Sequence, residues 1–336
     1  MKAVVLESLA PIETRPLRMR DLEVPTPASG QVVMKVAACG VCRSNLHMVE
    51  GEWAGGGTPS FMPIIPGHEV VGTISAVGPD VNHLKVGDRV GVHPIWSTCG
   101  RCGYCVAGTD HLCQSKVITG ETINGGYAEY MLATATHTFP LPDEVRFEDA
   151  APLFCPGITA YGSVAKARLA PGKRVAVFGI GGVGHMVLQM AVLSGADVFA
   201  VARGRNHLDL AEELGARGVD ATEGDPGETL AKLGGVDASI VFAPSDAVAA
   251  QAINATRPGG TIVTGVNVHI GDMPFAPEKV VVGSLLGTRQ QMRGVLELAA
   301  AGKIKAQCEL YPLAEANEAL TRLKNGEIRA RAVLTM

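Results

Sequence analysis

Cys99, Cys102, Cys105 and Cys113 follow the spacing C-x2-C-x2-C-x7-C, and no other stretch of the chain so narrows the path its backbone can take. Four thiolates at such spacings can close a tetrahedral shell around one Zn2+, and an all-sulfur shell leaves no position for a substrate. The site would therefore be structural. A disulfide pair would suit a secreted protein, but Met1-Lys2-Ala3-Val4-Val5 reads as a first strand and not as a signal peptide. An iron–sulfur cluster also takes four cysteine thiolates, and spacing alone does not separate it from zinc. In the company of the motifs that follow, zinc is the expectation.

At 336 residues the chain is long enough for two domains, each with its own core. Its net charge of -4 gives no electrostatic footprint for nucleic acid or an anionic membrane. No formal charge falls between Arg174 and Asp197, a gap of the length a membrane span needs. Yet the gap opens Val175-Ala176-Val177-Phe178 and then breaks at Gly179, Gly181, Gly182 and Gly184, the pattern of a buried strand, a turn and a helix. A cytoplasmic protein without a membrane segment is expected.

The first part of the chain, to about Pro156, is rich in Gly, Pro and short β-type runs such as 31–37, 70–76 and 89–93. These suggest a small irregular barrel with long loops. From about Gly172 the rhythm changes. Runs 174–178, 197–202, 237–242 and 261–265 read as strands, and 183–194, 206–215 and 246–256 as helices. Such alternation implies βαβ units on a parallel sheet. Beyond Gly287 come two helical segments and a final strand at 331–334.

Gly179-Ile180-Gly181-Gly182-Val183-Gly184 is a G-x-G-x-x-G run set directly after a strand and opening a helix. There the glycines let backbone and helix N-terminus approach a pyrophosphate. At the end of the second strand an NAD-binding chain carries an acid that grips the ribose 2′-hydroxyl. This chain has Val201-Ala202-Arg203-Gly204-Arg205. The acid is missing and two arginines follow, able to stack on adenine and to pair with a 2′-phosphate. NADP(H) is favoured over NAD(H).

A second group of candidate ligands is scattered. Cys42 lies in Cys39-Gly40-Val41-Cys42-Arg43-Ser44-Asn45-Leu46-His47, His68 and Glu69 follow Pro66-Gly67, and Cys155 lies in Leu153-Phe154-Cys155-Pro156-Gly157. Two thiolates and one imidazole with an open fourth position make a catalytic zinc site. With the cysteine quartet, the glycine run, Gly67-His68-Glu69-x2-Gly72, Val86-Gly87-Asp88-Arg89-Val90 and Gly125-Gly126-Tyr127-Ala128-Glu129-Tyr130, the whole chain resembles the zinc-dependent medium-chain alcohol dehydrogenase family.

That resemblance implies an α/β protein with two zinc ions per chain. A GroES-like β-barrel catalytic domain (1–156 and 287–336) is interrupted by a Rossmann doubly wound parallel sheet domain (157–286). It makes Cys42, His68 and Cys155 the catalytic ligands, with Glu69 as an occasional fourth. Cys39 and Cys308 are then packing residues. Ser44 matches the hydroxyl that bonds the substrate oxygen, and His47 the imidazole that ends the proton relay. Arg43 and Arg331 match pyrophosphate-binding arginines, Thr159 a residue beside the nicotinamide, and Val266 a further cofactor contact. Trp53, Ile95 and Trp96 are read as the substrate pocket, both tryptophans lying in loops near motif residues. A homo-oligomer, dimer or tetramer, is implied as well.

One departure is informative: Asn45 stands where most relatives have Asp beside the zinc-bound histidine. Asn still offers His68 an acceptor but brings no charge, which would leave the metal more electrophilic. The expected reaction is reversible oxidation of an alcohol to an aldehyde or ketone. A zinc-free quinone or enone reductase on the same scaffold is an alternative that the retained ligands oppose, as they oppose a nucleotide-binding protein without chemistry. A polyol or sugar dehydrogenase is another, and Cys155, where that branch often has Glu, argues against it.

Overall fold

The computed structural model describes residues 1–336, and the chain divides into two compact units. One comprises Met1–Cys155, Thr288–Ala300 and Ala306–Met336; the other comprises Pro156–Gly287 and Ala301–Lys305.

The first unit is built on the strand Gln31–Val41. Its early residues pair antiparallel with Tyr130–Thr134, its late residues with Arg331–Thr335, and its other edge with Glu69–Val77. Arg89–Val92 and Thr138–Pro140 extend the sheet beyond Glu69–Val77, and Cys308–Pro312 adds the one parallel pairing, beside Arg331–Thr335. Val32, Met34, Val36, Val70, Ile74, Val90 and Leu334 lie in one buried cluster that also takes in Leu46 and Met48. The apolar face thus fixes the register, because a slip of one residue would turn every side chain to the opposite face. The two helices beyond Gly287, Arg289–Ala300 and Ala316–Asn325, belong to this unit.

In the second unit six parallel strands run in the order Arg217–Asp220, Asp197–Ala202, Arg174–Phe178, Val236–Val241, Thr256–Thr264 and Val280–Gly283. In chain order this is third, second, first, fourth, fifth, sixth, the doubly wound arrangement, with its switch point beside Arg174–Phe178. Val175 to Phe178 are fully buried, as suits a central parallel strand covered on both faces. No helix of the structure is long and apolar enough to cross a membrane.

Candidate active site

The strand Gln31–Val41 delivers Cys42 at its end, and the helix Arg43–Val49 starts on the next residue. Glu69 opens the neighbouring strand, with His68 just before it. Cys155 closes the turn Ala151–Phe154 and is the last residue of the first unit's opening segment, Met1–Cys155. Ligand atoms of Cys42, His68, Glu69 and Cys155 all lie within 4.8 Å of one another. The two sulfurs are 3.8 Å apart. That separation is far beyond a disulfide bond and matches the roughly 3.8 Å between two corners of a tetrahedron of 2.3 Å Zn–S bonds.

Electrostatics in the cluster suits a cation. The Cys42 thiol is pushed well below its ordinary value by a hydrogen bond from Cys155 and by His68, while Cys155 is pushed up, so one proton serves both sulfurs. Burial pulls His68 down, but Cys42, Glu121 and Glu69 outweigh it and raise its pKa to about 9. Burial raises Glu69 to about 7 against the pull of Arg331. The donor set therefore fits the metal that the fold implies: two soft sulfurs and an imidazole at one point, with buried atoms of His68 and Glu69 left without hydrogen-bond partners.

Glu69 is fully buried, and its Oε1 accepts from Arg331, which also donates to Val41 O. A Cβ on Gly40 would come within 1.9 Å of Glu69 Oε2, so only glycine leaves room for this carboxylate. Arg331, read from sequence as a pyrophosphate ligand, is thus buried as the counter-charge of Glu69. Arg43 is exposed and donates to Leu323 O.

Ser44 and His47 stand three residues apart on the helix Arg43–Val49 and share a face. Ser44 Oγ is 3.5 Å from His68 Nε2. His47 Nδ1 lies 2.6 Å from Glu52 Oε2, and its ring is 5.4 Å from that of Trp53. Of the three proposed pocket residues, Trp53 is therefore beside the relay. Ile95 is buried, and Trp96 packs on the barrel core and donates its indole N–H to Leu132 O; both are occupied with packing.

Asn45 does not bond His68. Its Oδ1 accepts from Cys42 N and from Tyr127 OH, both at 3.2 Å, fixing the start of the helix. The acid that faces His68 is Glu121, Oε1 lying 3.8 Å from Nδ1. Nothing in the sequence around Glu121 marked it. Cys39 is a core residue, and Cys308 Sγ donates to Glu148 O.

Cys99, Cys102, Cys105 and Cys113 form the other cluster. Cys105 Sγ lies 3.5 Å from Cys102 Sγ and 3.9 Å from Cys99 Sγ. Backbone N–H groups of Arg101 and Cys102 lower the Cys99 thiol to about 6, and Gly100 with φ of 69° turns the chain between the first two cysteines. Four sulfurs at this spacing fit one closed tetrahedral shell.

The glycine run divides its tasks. Gly179 has φ of 95°, and a Cβ on Gly184 would lie 2.0 Å from Gly179 O, so the first glycine makes the turn and the last lets the helix Gly184–Leu193 approach the strand. Gly181 faces open space, leaving a cradle next to the backbone at which a pyrophosphate fits. At the end of Asp197–Ala202, Arg203 is exposed, and Arg205 pairs with Asp209 at 3.0 Å. Thr159 is buried on the helix Pro156–Ala167, and Val266 follows Thr256–Thr264.

Residues 28–143 match the family model of the alcohol dehydrogenase GroES-like domain, and residues 182–301 that of zinc-binding dehydrogenases. An alcohol dehydrogenase of Geobacillus stearothermophilus is 40% identical over 99% of both chains. The solved alcohol dehydrogenase of the hyperthermophilic archaeon Aeropyrum pernix is similar with a TM-score of 0.91 and 34% identity, over the whole of both chains. A solved NAD-dependent alcohol dehydrogenase gives a TM-score of 0.91 at 29% identity, again over both whole chains.

Proposed function

This chain belongs to the zinc-binding, medium-chain alcohol dehydrogenase family, and on that footing we propose that it interconverts an alcohol and its aldehyde or ketone with NADP(H) as the hydride partner. The observation that carries the reading is the gathering of Cys42, His68 and Cys155 from three distant segments around one point, with Ser44 beside them.

Cys42, His68 and Cys155 would hold the catalytic zinc, with Glu69 as an occasional fourth donor, and the cysteine quartet would hold a structural one. When bound in such an open shell, zinc supplies Lewis acidity toward the substrate oxygen. Ser44 accepts the hydroxyl proton of the alcohol and hands it to His47, one turn along the same helix. His47 is held for this by Glu52, which occupies Nδ1 and leaves Nε2 as the exchanging nitrogen. The hydride chemistry belongs to the nicotinamide, which the glycine run and Thr159 would orient. Arg43 and Arg331 would add positive charge toward the pyrophosphate. A quinone or enone reductase has no use for the gathered thiolates, and Cys155 in place of a carboxylate favours a simple alcohol over a polyol. The reading includes a cytoplasmic homo-oligomer.

Elemental analysis of freshly purified protein should find two zinc ions per chain. Chelation should remove one of them first, with loss of turnover, because its shell is open, and added zinc should restore activity. Cys155→Ser should abolish turnover in a folded protein, whereas Cys102→Ser should cost stability. One zinc or none in active enzyme would refute the assignment.

A further inference from the structure

A histidine that gives one ring nitrogen to a metal keeps an N–H on the other, and a carboxylate, carbonyl or water that accepts it fixes the ring and its tautomer. His68 is 3% exposed, Nε2 lies on the Ser44 side, and Nδ1 has no hydrogen-bond partner. Asn45, at the position that would serve, has turned its oxygen to Cys42 N and Tyr127 OH. A different acid faces Nδ1. Glu121 Oε1 stands 3.8 Å away on a side chain only 14% exposed. Its loop is held in place by backbone bonds: Glu121 N donates to Ile118 O, Ser60 N to Glu121 O, and Gly120 N to Ile123 O. A Cβ on Gly120 would lie 2.7 Å from the backbone of Gly67, so this loop presses on the residue that precedes His68.

We infer that Glu121 is the positioning residue of His68, a carboxylate relocated from position 45 to a loop packed against Gly67. The inference rests on reading Cys42, His68 and Cys155 as zinc ligands. A closing shift of about 0.9 Å brings Oε1 to the ordinary N–H···O distance of about 2.9 Å. Bonded so, His68 keeps its proton on Nδ1 and presents the Nε2 lone pair to the metal. The negative charge that Asn45 omits is returned from a different loop, and Asn45 is left to cap the helix that carries Ser44 and His47.

The test is zinc affinity, measured on the full chain by competition with a chromophoric chelator. Glu121→Gln should weaken the site of Cys42, His68 and Cys155 by about 10–100-fold, the usual effect of removing such a partner. The cysteine quartet should be unaffected and serve as internal control of folding. Adding Asn45→Asp to Glu121→Gln should recover most of the loss, which a merely structural role for Glu121 would not allow. In the unmodified zinc-loaded protein, 15N-histidine NMR should show His68 protonated on Nδ1 and protected from exchange; an unprotected Nδ1 overturns the inference without any variant. Zinc affinity of Glu121→Gln within about twofold of the parent also overturns it, and a changed KM in that variant would place Glu121 on the substrate. If the unmodified chain takes up only the quartet's zinc, the ligand reading itself falls.

Discussion

At the scale of single residues, the helix Arg43–Val49 concentrates the chemistry: Ser44, Asn45 and His47 face three different tasks within one turn. Ser44 is the residue next to His68, so Ser44→Ala should lower kcat about 10²–10⁴-fold, as removal of a positioned acid–base group does. His47 sits one step further out, where water can substitute, so His47→Gln should cost much less. Steady-state kinetics of both variants with one alcohol decides this; equal losses would put His47 at the substrate itself. The nearness of Ser44 and His47 to Cys42 was legible because the three keep a short spacing in one stretch of chain, whereas the meeting of Cys42, His68 and Cys155 from three distant segments was expected only from the family resemblance. Glu121 was not legible, because its nearness to His68 depends on Gly120 lying against Gly67, a contact between segments far apart in sequence that no local pattern links. The ion pair of Arg331 with Glu69 was equally hidden: it follows from sheet pairing and is invisible in the local sequence.

At the scale of elements, the turn after Arg174–Phe178 was readable from its glycines, since Gly179 and Gly184 each answer to a backbone demand that no other residue meets. Strand pairing in the first unit was not. No periodicity in Arg331–Thr335 says that it lies beside Ala38–Val41, and the family resemblance carried only the expectation that both chain ends share one domain. The end of the strand Asp197–Ala202 bears on the nucleotide. Ala202→Asp should weaken NADPH by like-charge repulsion and improve NADH by offering the ribose an acceptor. Arg203→Ala should cost NADPH about 1–3 kcal/mol, the scale of a hydrogen bond to a charged group, and leave NADH nearly unchanged. Arg205 is engaged with Asp209, but an exposed pair of this kind is weak and can open for a phosphate. Fluorescence titration of each variant with both cofactors measures these shifts; equal affinity of the unmodified chain for NADPH and NADH would end the argument.

Over the whole molecule, the cysteine lobe is tied into its unit by charge. Arg289, on the helix Arg289–Ala300, donates to Asp110 beside Cys113 and to Thr136 O. His137 is buried next to Asp110, and burial, with Arg289, lowers its pKa to about 4. Unfolded, it titrates near 6.5. As pH falls from about 6.5 to 4 the unfolded chain takes up this proton first, so stability declines over that window and is intact above it. His137→Gln should flatten the acid limb of the unfolding free energy, measured by urea titration, by about 1–3 kcal/mol relative to the parent; an unchanged limb would assign it to other groups.

The interrupted first unit also sets an order in time. The quartet's four sulfurs lie in one short stretch and are complete once Cys113 has been translated. Cys42, His68 and Cys155 gather on a sheet whose Arg331–Thr335 strand, and with it the partner of Glu69, is made only after the entire nucleotide-binding unit, a delay on the order of 10 s or more at about 5–20 residues per second. During that wait the nascent chain holds one complete cysteine cluster and another still unfinished and open to solvent. If both clusters take zinc as proposed, loading would be sequential, the quartet first, and the thiols of Cys42 and Cys155 would pass through an interval in which oxidation competes with their capture of a metal.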